Sequence, residues 1–304
     1  MSLRFFLLCL IWLVSWPAWA EGGIHLILSE SGAAHQEAAD SFRAAVGATR
    51  QVKVLSLAEV SPLQLQNLGR ASELLVPVGV RAARFVAEYH SGQAAVLSLM
   101  IPRAVGERLQ WPAGLGRKKT SFVYIDQPAQ RSLGLVSEAF PASHRIGVVI
   151  SPENTAIAKI LVQEATRRQL ALNLETVDSP ENVASALRRV LQESEVLLLV
   201  PDAMVINAAN AQNVLLTTYR YRVPVVGFSQ GLAKAGAVAS VYSSPSQIGH
   251  QGALMAMRWL ESGELPAPQP SGEFALSFNR HVARSLGVVL PDENEIRRRL
   301  GASE

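Results

Sequence analysis

Polar residues follow the buried strands predicted in the second half of the chain, and their side chains suit the binding of a small polar ligand. Asp202 comes just after the aliphatic residues 196–200, and Ser229 follows residues 223–228. Tyr242 directly follows a third predicted strand. Open α/β sheets bind ligands at the carboxyl ends of their parallel strands. The sequence therefore predicts a crevice with a carboxylate and neutral hydroxyl groups, which suits an amine or a hydroxyl-bearing ligand.

The first half of the chain offers a second set of residues past predicted strands. Ser29 and Ser31 follow the first strand, and Gly79 follows the third. Gly79 can be a plain turn glycine, or it can let the backbone approach an anionic ligand group near the next helix N-terminus. With Arg81, this turn suits a carboxylate. The two halves together favour a zwitterion, such as an amino acid.

Two aspartates each have two interpretations. Asp126 follows the strand predicted at residues 121–125, and Asp202 precedes a predicted helix. Each carboxylate can cap its own helix or accept hydrogen bonds from a ligand in the crevice, and capping is favoured for Asp126. The ligand-binding residues predicted by position are Ser29, Ser31, Gly79, Asp126, Asp202, Ser229 and Tyr242.

No catalytic or metal-binding signature is present in the sequence. It contains no phosphate-binding Walker loop, nucleophile elbow or HExxH motif. The pair Gly114 and Gly116 precedes three cations but no predicted helix, so it is a weak phosphate signal. We therefore predict a non-enzyme with no cofactor and no metal. The six histidines have no metal-ligand spacing: His25, His35, His90, His144, His250 and His281.

The N-terminus predicts export. Residues 1–20 contain Arg4, an apolar core and small residues at Ala18 and Ala20, which is the pattern of a cleavable secretory signal. An uncleaved N-terminal anchor is the alternative. The single cysteine, Cys9, lies inside the apolar core, so neither a lipid anchor nor a disulfide is expected. A large cysteine-free secreted domain fits the bacterial periplasm.

Charge gives no indication of a nucleic-acid partner. The formal net charge is +3, and cleavage of the signal removes one cation, Arg4, and no anion. Such a small excess over a chain of this size does not provide the basic surface that nucleic acids require. We expect a monomer in the periplasm with a small-molecule ligand.

The elements that position these residues form two runs of strand–helix alternation, at residues 24–125 and 145–241. Their continuous aliphatic strands predict an α/β fold of two Rossmann-like lobes with parallel sheets joined by a hinge. Residues 102–119 are interpreted as a surface loop, and a helix is predicted from Ala208 to Tyr221 after the cap residue Asn207. The predicted divisions are a signal peptide (1–20), an N-terminal lobe (21–125), a C-terminal lobe (126–241) and a crossing-back tail (242–304). The final helix is predicted at 279–286, and Arg297-Arg298-Arg299 is interpreted as a solvated helix end.

Several segments of the second half resemble a known family in both order and spacing. They are RIGVVISPEN, EVLLLVPDAMVIN, YRVPVVGFSQGLAKAGAVASV, SQIGHQGALMAMRWLESGELP and FALSFNRHVARSLGVVLP, with a fainter match at ELLVPVGVRAA. These segments resemble the substrate-binding proteins of a family of bacterial ABC transporters, which have the type I periplasmic-binding-protein fold.

The resemblance implies a periplasmic solute-binding component of an ABC-type uptake system. Members of that family look like amino-acid binders, aromatic amino acids among them, that deliver the ligand to a permease in the inner membrane. This chain departs from the family pattern at Gly79-Val80-Arg81 and at Ile125-Asp126. A periplasmic sensor or accessory protein of the same fold, with no permease partner, is the alternative.

Overall fold

The computed structural model describes residues 23–48, 50–90, 92–112 and 115–301. The predicted signal sequence, residues 1–20, lies outside the described residues. Within those ranges no helix is both long enough and apolar enough to cross a membrane.

The strands of the described chain form two sheets with six strands each. The sheet orders are β11-β5-β4-β3-β1-β2 and β12-β10-β9-β8-β6-β7. All pairs are parallel except β10 with β12. The strands are β1 (Ile24–Leu28), β2 (Val52–Ser56), β3 (Leu74–Val78), β4 (Ala95–Ile101), β5 (Thr120–Tyr124), β6 (Arg145–Ile150), β7 (Ala171–Thr176), β8 (Val196–Leu198), β9 (Val225–Gly227), β10 (Ala239–Tyr242), β11 (Gln269–Pro270) and β12 (Ala275–Phe278).

Helices cover both faces of each sheet, which explains why strands such as β1 and β3 are buried at every position. In the first lobe α1 and α10 cover one face, and α2 and α3 cover the other. The helices are α1 (Ala33–Val46), α2 (Pro62–Asn67), α3 (Val80–Tyr89), α4 (Arg103–Gly106), α5 (Ala129–Ala139), α6 (Thr155–Arg167), α7 (Val183–Glu193), α8 (Ala211–Arg220), α9 (Gln230–Ala235), α10 (Pro245–Ser262), α11 (Arg280–Ser285) and α12 (Glu293–Arg299). The predicted fold of two parallel-sheet α/β lobes is confirmed.

The segment after β10 contributes to both lobes. Helix α10 packs against α1 in the first lobe, β11 extends the first sheet and β12 extends the second. The chain therefore crosses between the lobes after β5, after β10 and after β11. The crossing segments are tied together, because Gln127 Nε2 donates to Ser243 Oγ (2.9 Å) and Ser243 Oγ donates to the Glu273 carbonyl (2.8 Å).

Three predictions of local structure were wrong. The segment 102–119 is not a plain surface loop, because it contains α4 and its apolar side chains pack against β5. Helix α8 begins at Ala211, because the Asn207 side chain accepts hydrogen bonds from the backbone N–H groups of Ala209 and Asn210 in a preceding turn. The helix near residue 280 is not the last one, since α12 follows it and packs against α5 and β12.

Candidate functional site

A cavity of about 810 Å³ lies between the two lobes, at the end of β5 and beside the first crossing segment. Its size is within the range of small-molecule sites. The first lobe contributes β5, the end of β11 and the segment after β4, whereas the second lobe contributes α5, α6 and the ends of β8 and β9. Binding there would hold the two lobes together.

Aromatic side chains form the first-lobe wall of this cavity. Phe122 and Tyr124 lie on the same face of β5, and their rings stack with centroids 6.0 Å apart. Trp111 packs against Phe122 with its ring centroid 6.2 Å away. This wall is suited to the flat or apolar body of a ligand.

The opposite wall belongs to the second lobe and is also mainly apolar. Ile157 and Ile160 of α6 contribute aliphatic side chains, and Phe228 follows β9. Polar groups come from the start of α5 and the crossing segment, where Gln127 and Gln130 line the cavity. An apolar enclosure with a few polar groups is the usual composition of a small-molecule site.

Asp126 is a buried carboxyl group in the lining. It is only 9% exposed, and its Oδ2 accepts a hydrogen bond from the backbone N–H of Arg103 at 2.7 Å. Its Oδ1 is buried with no hydrogen-bond partner among the described residues. Burial raises the pKa of Asp126 to about 6, although hydrogen bonding from the backbone N–H groups of Arg103 and of Asp126 itself opposes the rise.

The other charged groups of the lining, Arg103 and Glu107, are paired through a single nitrogen of the guanidinium. Arg103 Nε donates to Glu107 Oε1 at 2.7 Å, and both side chains are more than a third exposed. Tyr124 is uncharged at physiological pH, as an ordinary tyrosine is, and burial raises its pKa further, to about 12. Asp126 therefore has no ion-pair partner among the described residues, and its unpartnered Oδ1 is enclosed by protein atoms.

Asp202 is buried but does not line the cavity. Its Oδ2 accepts from the backbone N–H of Ser151 (2.6 Å) and from Asn154 Nδ2 (2.7 Å). Its Oδ1 accepts from the backbone N–H groups of Met204 (3.1 Å) and Val205 (3.3 Å). Asp202 thus joins the turn after β8 to the segment before α6, and both of its oxygens are occupied.

The predicted residues of the first lobe form a separate group. Ser29 Oγ accepts from the backbone N–H of Ala82 at 2.9 Å, so Ser29 caps α3 from a distant strand. Gly79 has φ +90°, and a Cβ there would lie 2.6 Å from His35 Nε2 and 2.7 Å from Ser29 Oγ. Ser31 is exposed just before α1. None of these predicted residues lines the cavity.

The two remaining predicted residues belong to the second lobe and also lie outside the lining. Ser229 caps α9, because its Oγ accepts from the backbone N–H of Leu232 at 3.2 Å. Tyr242 ends β10 and is half-buried, and burial raises its pKa. Of the seven predicted residues, only Asp126 lines the cavity.

Sequence reasoning missed the aromatic wall. Alternation in TSFVY places residues 120, 122 and 124 on one face of β5, and this pattern could have indicated that face. Trp111 gave no periodic signal, because it lies in an irregular segment.

Within the described ranges, no group of three or more His, Cys, Asp or Glu side chains could hold a metal ion.

Comparison with solved structures supports the two-lobed architecture. A conserved domain protein from Vibrio cholerae is 19% identical, with 93% of this chain and 100% of that chain covered and a TM-score of 0.64. An ABC domain from Streptococcus pneumoniae solved with L-Trp is 15% identical, with coverage of 92% and 99% and a TM-score of 0.64. The ligand-free, open structure of an adhesive substrate-binding protein from Clostridium difficile is also 15% identical, with coverage of 90% and 97% and a TM-score of 0.68.

Sequence comparison identifies the family. No curated protein sequence matches this chain. The family model described as ABC transporter substrate binding protein, however, matches residues 72–297, which includes the second half of the first lobe, the whole second lobe and most of the crossing-back tail. The lobes, the cavity between them and this match lead to one conclusion: the chain belongs to the ABC transporter substrate-binding protein family.

Proposed function

We propose that this protein is the periplasmic solute-binding component of an ABC-type uptake system, and that it closes on an amino acid or a related zwitterion. The family consists of extracytoplasmic binding proteins rather than enzymes, and it implies a small-molecule ligand and a permease partner. The observation that carries the proposal is the cavity of about 810 Å³ with walls from both lobes. Such a cavity is completed only when the lobes meet, so a ligand stabilises their closed arrangement.

The composition of the cavity supports the proposed ligand class. Trp111, Phe122 and Tyr124 provide an aromatic wall, while Asp126 and Arg103 provide charges of both signs. The similar Streptococcus pneumoniae structure was solved with L-Trp. A zwitterion with an apolar side chain can satisfy all three kinds of surface at once.

Thermal-shift screening of residues 21–304 against amino acids, sugars and small organic acids tests the proposal. At a concentration about 100 times its dissociation constant, a ligand should raise the free energy of unfolding by about 2.7 kcal/mol. Scattering should then show a smaller radius of gyration with the ligand than without it. Stabilisation by sugars alone would contradict the zwitterion, and an unchanged radius would contradict closure.

A further inference from the structure

Arg131 contacts the segments that cross between the lobes, although it has no counter-ion. Its Nη1 donates to Gln127 Oε1 at 2.6 Å, and its Nη2 donates to the Gly272 carbonyl at 3.2 Å. The guanidinium also lies over the Phe274 ring, 4.2 Å from the centroid. Burial lowers the pKa of this guanidinium, and no carboxylate among the described residues pairs with it. Partial burial of an unpaired cation is unfavourable, so these contacts need an explanation other than stability.

The guanidinium is held in place by the second lobe. Arg131 lies in the first turn of α5, and Leu133 and Val136 of the same helix are buried in the core of that lobe. The Phe274 side chain, on which the guanidinium rests, belongs to the same core. Arg131 therefore moves with the second lobe.

The groups that accept its hydrogen bonds are instead fastened to α10, which packs in the core of the first lobe. The backbone N–H of Gly272 donates to Gln251 Oε1 of α10 at 3.4 Å. Gln127 Nε2 donates to Ser243 Oγ at 2.9 Å, and Ser243 directly precedes the cap residue of α10. A rotation of the lobes about the hinge therefore changes the distances between Arg131 and its acceptors.

We infer that Arg131 is a positioning residue that holds the hinge in the closed arrangement. The inference rests on the hinge motion of the proposed function, but not on its ligand class. The lobes meet in this structure, since both contribute walls to the cavity and Arg108 pairs with Glu153 across them. Contacts that exist in this arrangement and are lost on rotation favour it over the open one. Arg131 does not line the cavity, so it acts on closure without touching the ligand.

Three variants separate this role from a general contribution to folding. Arg131→Met keeps a long side chain over Phe274 but removes both hydrogen bonds. Arg131→Lys keeps the charge but has one nitrogen for two acceptors. Arg299→Met is the matched control, because Arg299 of α12 donates to Glu138 Oε2 of α5 at 2.7 Å and so joins two elements of the same lobe.

Spin labels on two introduced cysteines measure the interlobe distance without any ligand. Residues 21–304 contain no cysteine, so labels attach only at Gln66→Cys in α2 and Gln163→Cys in α6, which are exposed positions in different lobes. Pulsed electron resonance of the wild type should show a closed and an open distance. In Arg131→Met the ratio of open to closed molecules should rise roughly 5- to 30-fold, as expected for the loss of one or two hydrogen bonds to a charged group. Arg131→Lys should lie between the two, and Arg299→Met should match the wild type.

Other outcomes overturn the inference in distinguishable ways. If Arg131→Met has the wild-type distances or shifts toward the closed one, Arg131 does not hold the hinge closed, and the proposed function stands. A wild type with no closed molecules in the absence of ligand has the same meaning. If Arg299→Met opens the lobes as much as Arg131→Met does, the effect comes from a weakened α5. A single wild-type distance that no screened amino acid changes would contradict the hinge motion itself, and with it both proposals.

Discussion

At the scale of single residues, burial of Asp126 has a consequence for stability that needs no ligand. Its pKa is raised from 3.8 to about 6. Between these values the folded protein holds a proton that the unfolded chain has released, so stability is lost as the pH rises through this window. The shift corresponds to a contribution on the order of 3 kcal/mol that is present below the window and absent above it.

Thermal melts of the wild type and Asp126→Asn at about pH 4.5 and 7.5 measure this contribution. Relative to the variant, the wild type should lose stability at the higher pH. Buried histidines such as His90 have lowered pKa values and act in the opposite direction, but they are common to both proteins and cancel in the difference. If the melting temperature changes with pH by the same amount in the two proteins, burial does not destabilise the ionised form of Asp126.

The comparison of Asp126 with Asp202 also shows where prediction from sequence stops. Both were placed at strand ends by the same rule, and both are buried there. Both have a long-range backbone donor at Oδ2, which is Arg103 for Asp126 and Ser151 for Asp202. Their hydrogen bonding differs at Oδ1, because the nearby Met204 and Val205 donate to Asp202, whereas Pro128, two residues after Asp126, has no backbone N–H to donate. The rule indicates the edge of the sheet, but the long-range donors that hold each carboxyl group there have no local sequence pattern.

At the scale of secondary structure, the joint between α1 and α10 holds the crossing-back tail on the first lobe. Gly249 lies directly against Ala38, where a Cβ would overlap the backbone carbonyl oxygen. Gly249→Ala should therefore push the two helices apart and lower the free energy of unfolding by about 1–3 kcal/mol. Chemical denaturation measures the change.

Gly231→Ala is the matched control for this prediction. Gly231 is also a helical glycine, in α9, but the nearest atom to its added Cβ is Ser229 Oγ at 3.7 Å. Because alanine favours helix more than glycine does, this variant should be as stable as the wild type or more so by up to about 1 kcal/mol. Equal effects of the two substitutions would refute close packing at the α1–α10 joint.

The strand–helix alternation of both lobes could be predicted from the sequence, but the structure of the segment 102–119 could not. Continuous aliphatic strands and 3.6-residue periodicity predicted the two α/β runs, because these patterns reflect burial between helix layers. The segment 102–119 was misinterpreted because its apolar residues have no periodicity. Leu109 and Trp111 are partly buried by contacts with a strand that comes later in the chain, and those contacts are set by tertiary structure.

At the scale of the whole molecule, an ion pair between Arg108 and Glu153 connects the lobes beside the cavity. Arg108 follows α4 in the first lobe, and Glu153 precedes α6 in the second. Both side chains are about half exposed, at 53% and 52%, so the pair is worth less than about 1 kcal/mol and weakens in salt. It favours the arrangement in which the lobes meet.

Charge reversal tests this interlobe contact. Arg108→Glu alone should weaken ligand binding by roughly two- to fivefold at low ionic strength, because two carboxylates then face each other. The double variant Arg108→Glu with Glu153→Arg should restore affinity. Calorimetry at low and at about 0.5 M salt measures both effects, which should vanish at the higher concentration. A double variant as weak as the single one would show that the pair does not influence closure.

The central claim is that the ligand lies between the lobes against the aromatic wall, and the fluorescence of Trp111 tests it most directly. Residues 21–304 contain two tryptophans, Trp111 and Trp259, and Trp259 is buried in α10 away from the cavity. In the variant Trp259→Phe, titration with the amino acid that gives the largest thermal shift, tryptophan excluded, should change the Trp111 emission saturably. The midpoint should equal the dissociation constant from calorimetry. Binding measured by calorimetry with no change in Trp111 emission would place the ligand elsewhere and contradict the account.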